Sequence, residues 1–322
     1  MAITIGGVRF PHNVFCATGA RGFFGEGYWF HLYFKLLGLT WSGTNFAAKT
    51  TTLEVRKGNM PLAKDGISPA DIIPRCIIPH LRTGHVLNAV GLSGPGAKDL
   101  LDRGLWQRIA TPFVLSFMAV AETPEDRRKE YIGFVDLLEG YLSDFVSPFV
   151  LQLNFGCPNA GLPLEQLREE SVDALQIMSK LPVPLVPNFN PLVPATLLKE
   201  LEKTELCAGF WVANTIPYDY EGLGQSIFGR EISPLSQRGF PSAGGISGPR
   251  CLAYLLCALS EARHIGVSLP IIGGNGIQTP RAVRLVEKAG ASAIAIGTIA
   301  MVPPRMLLMR SVITTANHIM GN

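Results

Sequence analysis

Amide and thiol side chains that could take part in proton transfer cluster at residues 153–159, Leu-Asn-Phe-Gly-Cys-Pro-Asn. The apolar run before them, 149–153, is typical of a buried strand, and glycine and proline end it. Asn154 and Asn159 can each donate and accept hydrogen bonds. Cys157 can take or give a proton if its pKa is tuned. The stretch indicates a site at a strand end, and the alternative is a small buried cysteine beside a turn.

The composition indicates a globular domain and argues against nucleic-acid-binding and membrane proteins. The chain has 322 residues, 47% of them hydrophobic, which is enough for one domain over residues 1–322. A net charge of +3 without a basic block argues against a nucleic-acid partner. We expect no membrane segment, because no uncharged apolar run reaches the roughly 18–20 residues that a spanning helix needs.

The cysteines and the first residues indicate a reducing compartment. The six cysteines form no CxxC pair, which disfavours a zinc or iron–sulfur site, and we expect no metal. The chain starts Met-Ala-Ile-Thr-Ile, without the basic and apolar regions of a signal peptide. We therefore expect free thiols and a cytoplasmic protein.

Short apolar runs alternate with helical patterns along the chain. Continuous apolar runs are typical of parallel strands that are covered on both faces. The predicted strands are 13–17, 46–51, 113–119, 149–154, 185–189, 210–214, 270–273 and 293–296. Thr123-Pro124 and Thr279-Pro280 each predict a helix start, with a capping residue followed by proline. The pattern predicts an α/β fold, a (β/α)8 TIM barrel, with a doubly wound open sheet as the alternative.

In a barrel the active site lies at the carboxyl ends of the strands, so the residues there predict the chemistry. Small residues follow the first strand and would let a flat ligand approach the backbone. The residues at these ends are Ala17, Gly19, Lys49, Thr50, Asn154, Asn188, Asn190, Asn214 and Thr215. They include no acid pair for glycoside chemistry and no set of metal ligands. Such a lining is suited to a planar ligand with carbonyl and N–H groups.

Glycine-rich turns follow the last strands. Gly273-Gly274 comes with the seventh strand, Gly297-Thr298 with the eighth, and 244–248 forms a third such stretch. Bare backbone N–H groups at these places are the usual phosphate site of a barrel, although glycines are also common in ordinary turns. A phosphate there, amides in the middle and Cys157 as acid or base predict FMN with a small substrate stacked on it.

These residues also resemble a known family, the dihydroorotate dehydrogenases, and in particular the soluble class whose base is a cysteine. The resemblance covers most of the chain, and its motifs occur in the family's order. The motifs are 49–59 (Lys-Thr-Thr-Thr-Leu-Glu-Val-Arg-Lys-Gly-Asn), 88–92 (Asn-Ala-Val-Gly-Leu), 154–159, 214–215, 244–248, 273–274 and 297–298.

The resemblance implies oxidation of dihydroorotate to orotate in pyrimidine biosynthesis. Cys157 would remove the C5 proton while hydride passes from C6 to flavin N5. The residues implied to hold the substrate are Lys49, Asn88, Gly91, Leu92, Asn154, Asn159, Asn214 and Thr215, with Lys49, Gly91 and Leu92 at its carboxylate. The residues implied to hold FMN are Ala17, Gly19, Lys49, Thr50, Asn154, Asn188, Gly248, Gly273, Gly274, Gly297 and Thr298, the last five at its phosphate.

The resemblance also implies a homodimer and allows an electron-transfer subunit. Fumarate, NAD through a partner subunit, and a quinone all remain open as electron acceptors.

The sequence departs from the family at the end of the fifth strand. The family usually has a lysine there, near flavin N1 and O2, where this chain has Asn188, so reduced anionic flavin should be less stable. Segments 23–41 and 60–86 are also longer than in compact members and could overlie the site. Two alternatives follow: an FMN enzyme acting on another dihydropyrimidine or activated C=C bond, and a barrel that binds a phosphorylated ligand without redox chemistry.

Overall fold

A parallel β-sheet with helices on its outer face is the centre of the computed structural model, which describes residues 2–36, 40–155 and 164–320. The strands are β1 Ile3–Ile5, β2 Val8–Phe10, β3 Val14–Cys16, β4 Ile77–His80, β5 His85–Asn88, β6 Phe113–Phe117, β7 Phe149–Asn154, β8 Leu185–Phe189, β9 Phe210–Val212, β10 Ile216–Pro217, β11 Gly245–Ser247, β12 Ile271–Gly274 and β13 Ala293–Ile296. The helices are α1 Trp29–Leu36, α2 Ala97–Asp102, α3 Pro124–Glu139, α4 Leu164–Met178, α5 Ala195–Lys203, α6 Leu223–Phe228, α7 Pro234–Gln237, α8 Leu252–His264, α9 Pro280–Lys288, α10 Pro303–Met306 and α11 Met309–Ile319.

Within the described residues, seven parallel strands pair in the order β3-β13-β12-β9-β8-β7-β6. Every residue of β6, β7 and β8 is buried. That burial is why the sequence shows continuous apolar runs rather than alternation, since side chains on both faces of these strands are covered. The barrel class predicted from the sequence is confirmed.

The predicted second strand, 46–51, is not a regular strand, and this is a correction. The segment is extended and bridges both edges of the sheet, with Asn45 beside Phe15 of β3 and Thr51 beside Phe117 of β6. Between these bridges the N–H of Lys49 donates to the carbonyl of Gly22 in the preceding loop, at 2.9 Å, instead of to a neighbouring strand. The ladder is interrupted for that reason, and the segment still closes the barrel.

Three predicted strands end earlier than their apolar runs. The runs 13–17, 113–119 and 210–214 become β3, β6 and β9, which stop at residues 16, 117 and 212. Residues beyond these ends, among them Ala17, Met118 and Asn214, line a cavity. The run 270–273 shifts by one residue to become β12.

Apolar side chains fill the barrel from its amino-terminal end. Phe15, Val150 and Trp211 pack in one buried cluster with the hairpin of β1 and β2. Phe10 of that hairpin is fully buried and meets Phe15 edge-on, with ring centroids 5.0 Å apart. The hairpin therefore closes one end of the barrel and leaves the carboxyl end for the site.

The helix starts predicted from the sequence are present. The Thr123 side chain accepts a hydrogen bond from the N–H of Asp126 at the start of α3. The Thr279 side chain accepts one from the N–H of Ala282 at the start of α9. In both helices proline occupies the first turn, where its missing N–H costs no hydrogen bond.

The two long segments build structure beside the carboxyl end. Segment 23–41 contains α1, and segment 60–86 contains β4, which pairs with β5. A second sheet, antiparallel in the order β10-β11-β5-β4, forms there. The predicted glycine turn 244–248 is therefore in part a strand, β11. No helix in the described ranges is long and apolar enough to cross a membrane.

We predict that Phe10→Ala destabilises the protein by about 3–5 kcal/mol, because it removes a buried aromatic ring from the closed end of the barrel. Urea unfolding measures the change. The matched control is Leu307→Ala, whose side chain is 69% exposed, and it should change stability by no more than about 0.5 kcal/mol. Equal effects of the two substitutions would contradict the role of the hairpin.

Candidate functional site

A cavity lies at the carboxyl ends of the barrel strands, where the sequence places its site residues. Most of the predicted residues line it. They are Ala17, Gly19, Lys49, Thr50, Asn88, Gly91, Leu92, Asn154, Asn214, Thr215, Gly297 and Thr298. Because they come from distant parts of the chain, the fold brings together residues that the sequence could relate only by their places at strand ends.

Four predicted cofactor residues lie behind this surface. Gly273 faces the helices, since a Cβ there would lie 3.3 Å from Val286. Gly274 packs between strands, and the N–H of Gly248 already donates to the Asn275 side chain at 3.0 Å. Asn188 is buried. Their contact with FMN stays a prediction.

Cys157 and Asn159, the predicted base and one predicted substrate ligand, lie outside the described residues. The described chain reaches the cavity at Asn154, the last residue of β7, and resumes at the start of α4.

Lys49 is a buried cation at the cavity wall, with 7% of its surface exposed. Its Nζ donates to the carbonyl of Ser93 at 2.6 Å and lies 4.7 Å from the centre of the Phe23 ring. Burial lowers the pKa of Lys49 to about 8, and the nearby Glu26 and Cys76 oppose that shift. The ammonium is therefore charged below pH 8 and loses its charge as the pH rises through 8.

The turn before Ser93 presents backbone donors at the edge of the cavity. Gly91 and Leu92 both have left-handed backbone, with φ of 71° and 60°. This conformation is costly for leucine and indicates a constrained site. Neither N–H donates to any residue in the described ranges. Two free N–H groups near a buried ammonium suit a carboxylate.

Amide and hydroxyl side chains form a hydrogen-bonded chain across the cavity floor. Asn214 donates to the Asn154 side-chain oxygen at 2.6 Å, and Asn154 donates to Thr50 at 3.1 Å. Thr50 in turn is 2.9 Å from the Ser116 hydroxyl. Each group fixes the next, so these side chains are oriented before a ligand arrives.

A neutral polar layer continues from this chain into the barrel. The Ser116 hydroxyl donates to Gln152 at 2.8 Å, and Asn188 donates to the same oxygen at 3.4 Å. Asn188 lies beside Asn154 in the sheet register and beside Trp211 on its other side. The Asn188 oxygen, the Gln152 amide nitrogen and the Trp211 indole nitrogen are buried without a hydrogen-bond partner in the described part of the chain. Such groups are costly unless a ligand or water meets them.

Several cavity residues were missed by sequence reasoning. They include Tyr28, Met118, Trp211, Ser247, Asn275 and Met301. Asn275 lies inside the glycine-rich stretch after β12, so its place at a strand end could have predicted it as a cavity residue. Tyr28 belongs to segment 23–41, whose length indicates that it could overlie the site but not which residue would reach it. Met301 lies in an apolar stretch without a motif.

Two histidines near the site have structural roles. The His31 Nε2 lies 2.9 Å from the carbonyl of Ala300, and its ring packs edge-on to Tyr28. His85 accepts the N–H of Arg250 at 3.0 Å. Burial, aided by Arg250, lowers the pKa of His85 to about 4, so it is neutral at pH 7. Neither histidine lines the cavity.

The residues of the cavity fit FMN. Gly19 has φ +89°, and a Cβ there would meet nothing closer than a Lys49 carbon at 4.0 Å, so its bare face opens onto the cavity. At the other end the N–H groups of Gly297 and Thr298 donate to no residue of the described ranges. The Thr298 hydroxyl donates to the Ser247 hydroxyl at 2.7 Å, which leaves the Ser247 O–H as a donor at the same place. A flat ring against Gly19 and phosphate oxygens at Gly297 would satisfy these groups.

Comparison with known proteins agrees with the geometry. The family model "Dihydroorotate dehydrogenase" matches residues 1–320. Two similar curated proteins are both named dihydroorotate dehydrogenase B (NAD(+)), catalytic subunit. The one from Bacillus caldolyticus is 27% identical over 312 residues, covering 94% of this chain and 86% of the relative. The one from Desulforudis audaxviator is 28% identical over 308 residues, covering 94% and 87%.

Solved structures show the same fold at low sequence identity. A ligand-free DHODH from Eimeria tenella aligns with a TM-score of 0.66 and 18% identity, over 99% of this chain and 87% of that one. The complex of DHODH from the same organism with ferulenol aligns with a TM-score of 0.63 over 97% and 82%.

We predict that the Lys49 ammonium titrates near pH 8, because burial disfavours its charge. Nitrogen-15 NMR of the lysine side chains measures this, and Lys49→Met assigns the signal. Lys98 is the internal control: its side chain is 70% exposed, and its hydrogen bond to Asp102 raises its pKa above the ordinary value. Co-titration of Lys49 with the surface lysines would contradict the burial.

Proposed function

We propose, because this chain belongs to the dihydroorotate dehydrogenase family, that its cavity binds dihydroorotate and oxidises it to orotate. The chain is a flavin-dependent oxidoreductase acting on a CH–CH bond, and FMN is its cofactor. One observation carries the choice of substrate. A buried cation, Lys49, lines the same cavity as a group of neutral amides, which matches a ring of carbonyl and N–H groups that carries a carboxylate.

Lys49 and the turn at residues 91–92 select for the carboxylate. A charge-assisted hydrogen bond from a partly desolvated ammonium is stronger than a neutral one. The free N–H groups of Gly91 and Leu92 would take the remaining lone pairs. Tyr28 and Lys49 are the ionisable side chains that line the described part of the cavity, so the anion meets no carboxylate there.

The amides orient the ring. Asn214 donates to Asn154 at 2.6 Å, and Asn154 donates to Thr50 at 3.1 Å, so both amides are held in place. Together with Asn88 and Thr215 they would hold the ring carbonyl and N–H groups in one orientation. A fixed orientation would present the C5 hydrogen for loss as a proton and the C6 hydrogen for loss as hydride.

Cys157 is the proposed base, and the family motif supports this role. Its thiolate would take the C5 proton, while the C6 hydrogen leaves with its electron pair. When bound, FMN supplies the acceptor for that pair at N5. The two C–H bonds break and a C=C bond forms, so the substrate loses two electrons and two hydrogens. The electrons then leave through an acceptor.

We further propose a partner that carries the electrons away. The relatives named above are catalytic subunits of NAD-linked enzymes, which supports an electron-transfer subunit with NAD as the final acceptor. A homodimer of this chain and a cytoplasmic location complete the proposal.

One observation favours a second candidate function. Asn188, with Gln152, makes the layer beneath the cavity neutral, and two of their polar atoms are unpartnered among the described residues. A neutral layer gives less support to negative charge on reduced flavin. The alternative is therefore an FMN enzyme that acts on another dihydropyrimidine or an activated C=C bond.

Anaerobic titration of the FMN-loaded protein with dihydroorotate distinguishes the two. We predict bleaching of the flavin absorbance at one equivalent, and a rate lowered by at least about 100-fold in Cys157→Ala, because the base is lost. Cys257→Ala, which removes an exposed thiol on α8, is the matched control. Flavin that stays oxidised with dihydroorotate but is reduced by another dihydropyrimidine would favour the alternative.

Asn188→Lys should shift the flavin reduction potential upward by about 30 mV or more, which is roughly 1.4 kcal/mol for two electrons. The reason is that a cation under the ring stabilises the reduced anion. Asn188→Met, of similar length and neutral, is the control and should not shift the potential upward. Potentiometry with a dye reference measures both, and equal potentials would refute the assigned place of Asn188.

A further inference from the structure

A short loop at residues 22–27 packs against Lys49 and is closed by its own glutamate. The Glu26 carboxylate accepts the N–H of Phe23 at 2.7 Å and that of Phe24 at 2.8 Å. The N–H of Gly27 donates to the carbonyl of Arg21 at 2.9 Å. These bonds fix the loop without help from a helix or strand.

Phe23 is held between this loop and the site. It is fully buried, and its carbonyl accepts the Trp106 indole N–H at 2.7 Å. On one side its ring meets Gly94, where a Cβ would lie 2.9 Å from the ring. On the other side the ring centre is 4.7 Å from the Lys49 ammonium. Glycine at position 94 leaves room for the ring at this place, and a cation over an aromatic face is attracted to it.

The charge of Glu26 acts on the same cation. The ionisable groups whose charge would act on Lys49 are Glu26 in this loop and Cys76 before β4. Tyr28 lies close to both. Burial raises the pKa of Cys76 to about 11, and it also raises the pKa of Tyr28, so both are neutral at pH 7. No carboxylate of the described chain ion-pairs directly with Lys49. Glu26 thus supplies a negative charge near Lys49 without occupying its donor hydrogens.

We propose that the 22–27 loop is a positioning device for Lys49, in which Phe23 supplies a ring platform and Glu26 a remote counter-charge that keep the ammonium charged and free to bind the substrate carboxylate. The inference rests on the proposed function, because it assigns the device to the carboxylate of a dihydroorotate-like anion. Phe23 and Glu26 act through Lys49 and are positioning residues.

A direct ion pair between Lys49 and a carboxylate of the protein would weaken substrate binding. A carboxylate bonded to Lys49 would compete with the substrate for the same N–H donors. The Ser93 carbonyl uses one donor at 2.6 Å, and an ammonium has three. With the counter-charge bonded instead to backbone N–H groups of its own loop, the remaining donors stay available.

The test measures orotate affinity against pH on the FMN-loaded protein, from the change that orotate makes in the flavin spectrum. In the wild type, affinity should fall as pH rises through about 8, where Lys49 loses its charge. In Glu26→Gln and in Phe23→Leu the midpoint should move to lower pH by at least about half a pH unit, which makes the ratio of affinities at pH 6 and pH 8 larger by roughly twofold. The spectrum also reports flavin content, which separates a loss of fold from a loss of charge.

Two control variants make the result decisive. Glu139→Gln removes an exposed charge on α3 and should leave the midpoint unchanged. Glu26→Asp keeps the charge with a shorter side chain, and its midpoint should stay closer to the wild type than that of Glu26→Gln. A uniform loss of affinity at every pH in Glu26→Gln and Phe23→Leu, with an unmoved midpoint, would overturn the proposal. If the wild-type holoprotein bound no orotate at any pH, the proposed function itself would fail.

Discussion

The burial of one cationic side chain, Lys49, at the mouth of the barrel is the constraint on which the site depends. A buried ammonium loses hydration, and the surrounding structure must compensate for that loss. Here compensation comes from a carbonyl at 2.6 Å, an aromatic face at 4.7 Å and the charge of Glu26. The irregular path of segment 45–51 brings the same residue against the 22–27 loop, because the Lys49 backbone N–H donates to the Gly22 carbonyl.

The rest of the cavity is electrically neutral in its described part, because burial keeps the Tyr28 hydroxyl protonated at pH 7. The chain of Asn214, Asn154, Thr50 and Ser116 is fixed by hydrogen bonds of 2.6 to 3.1 Å. Neutral, oriented dipoles hold a polar ring without competing with Lys49 for the anion. Polar atoms of Asn188, Gln152 and Trp211 are buried without a hydrogen-bond partner among the residues that the structure describes.

Much of the fold and the outline of the site could be predicted from the sequence. Parallel strands buried on both faces leave continuous apolar runs, so β7 and β8 were found at their observed ends. Placement at strand ends then predicted Lys49, Asn154 and Asn214 as cavity residues. Contacts between distant segments could not be predicted in this way. Tyr28, just before α1, lines the cavity. Gly273 faces helices. Neither fact leaves a local signal.

The central claim is that Lys49 and the neutral amides together bind a dihydroorotate-like anion. A crystal structure of the FMN-loaded protein with orotate tests it most directly. The account predicts the orotate carboxylate within hydrogen-bond distance of the Lys49 ammonium and of the N–H groups at residues 91–92, with the ring against Asn154 and Asn214. An orotate bound with its carboxylate away from Lys49 would contradict the account.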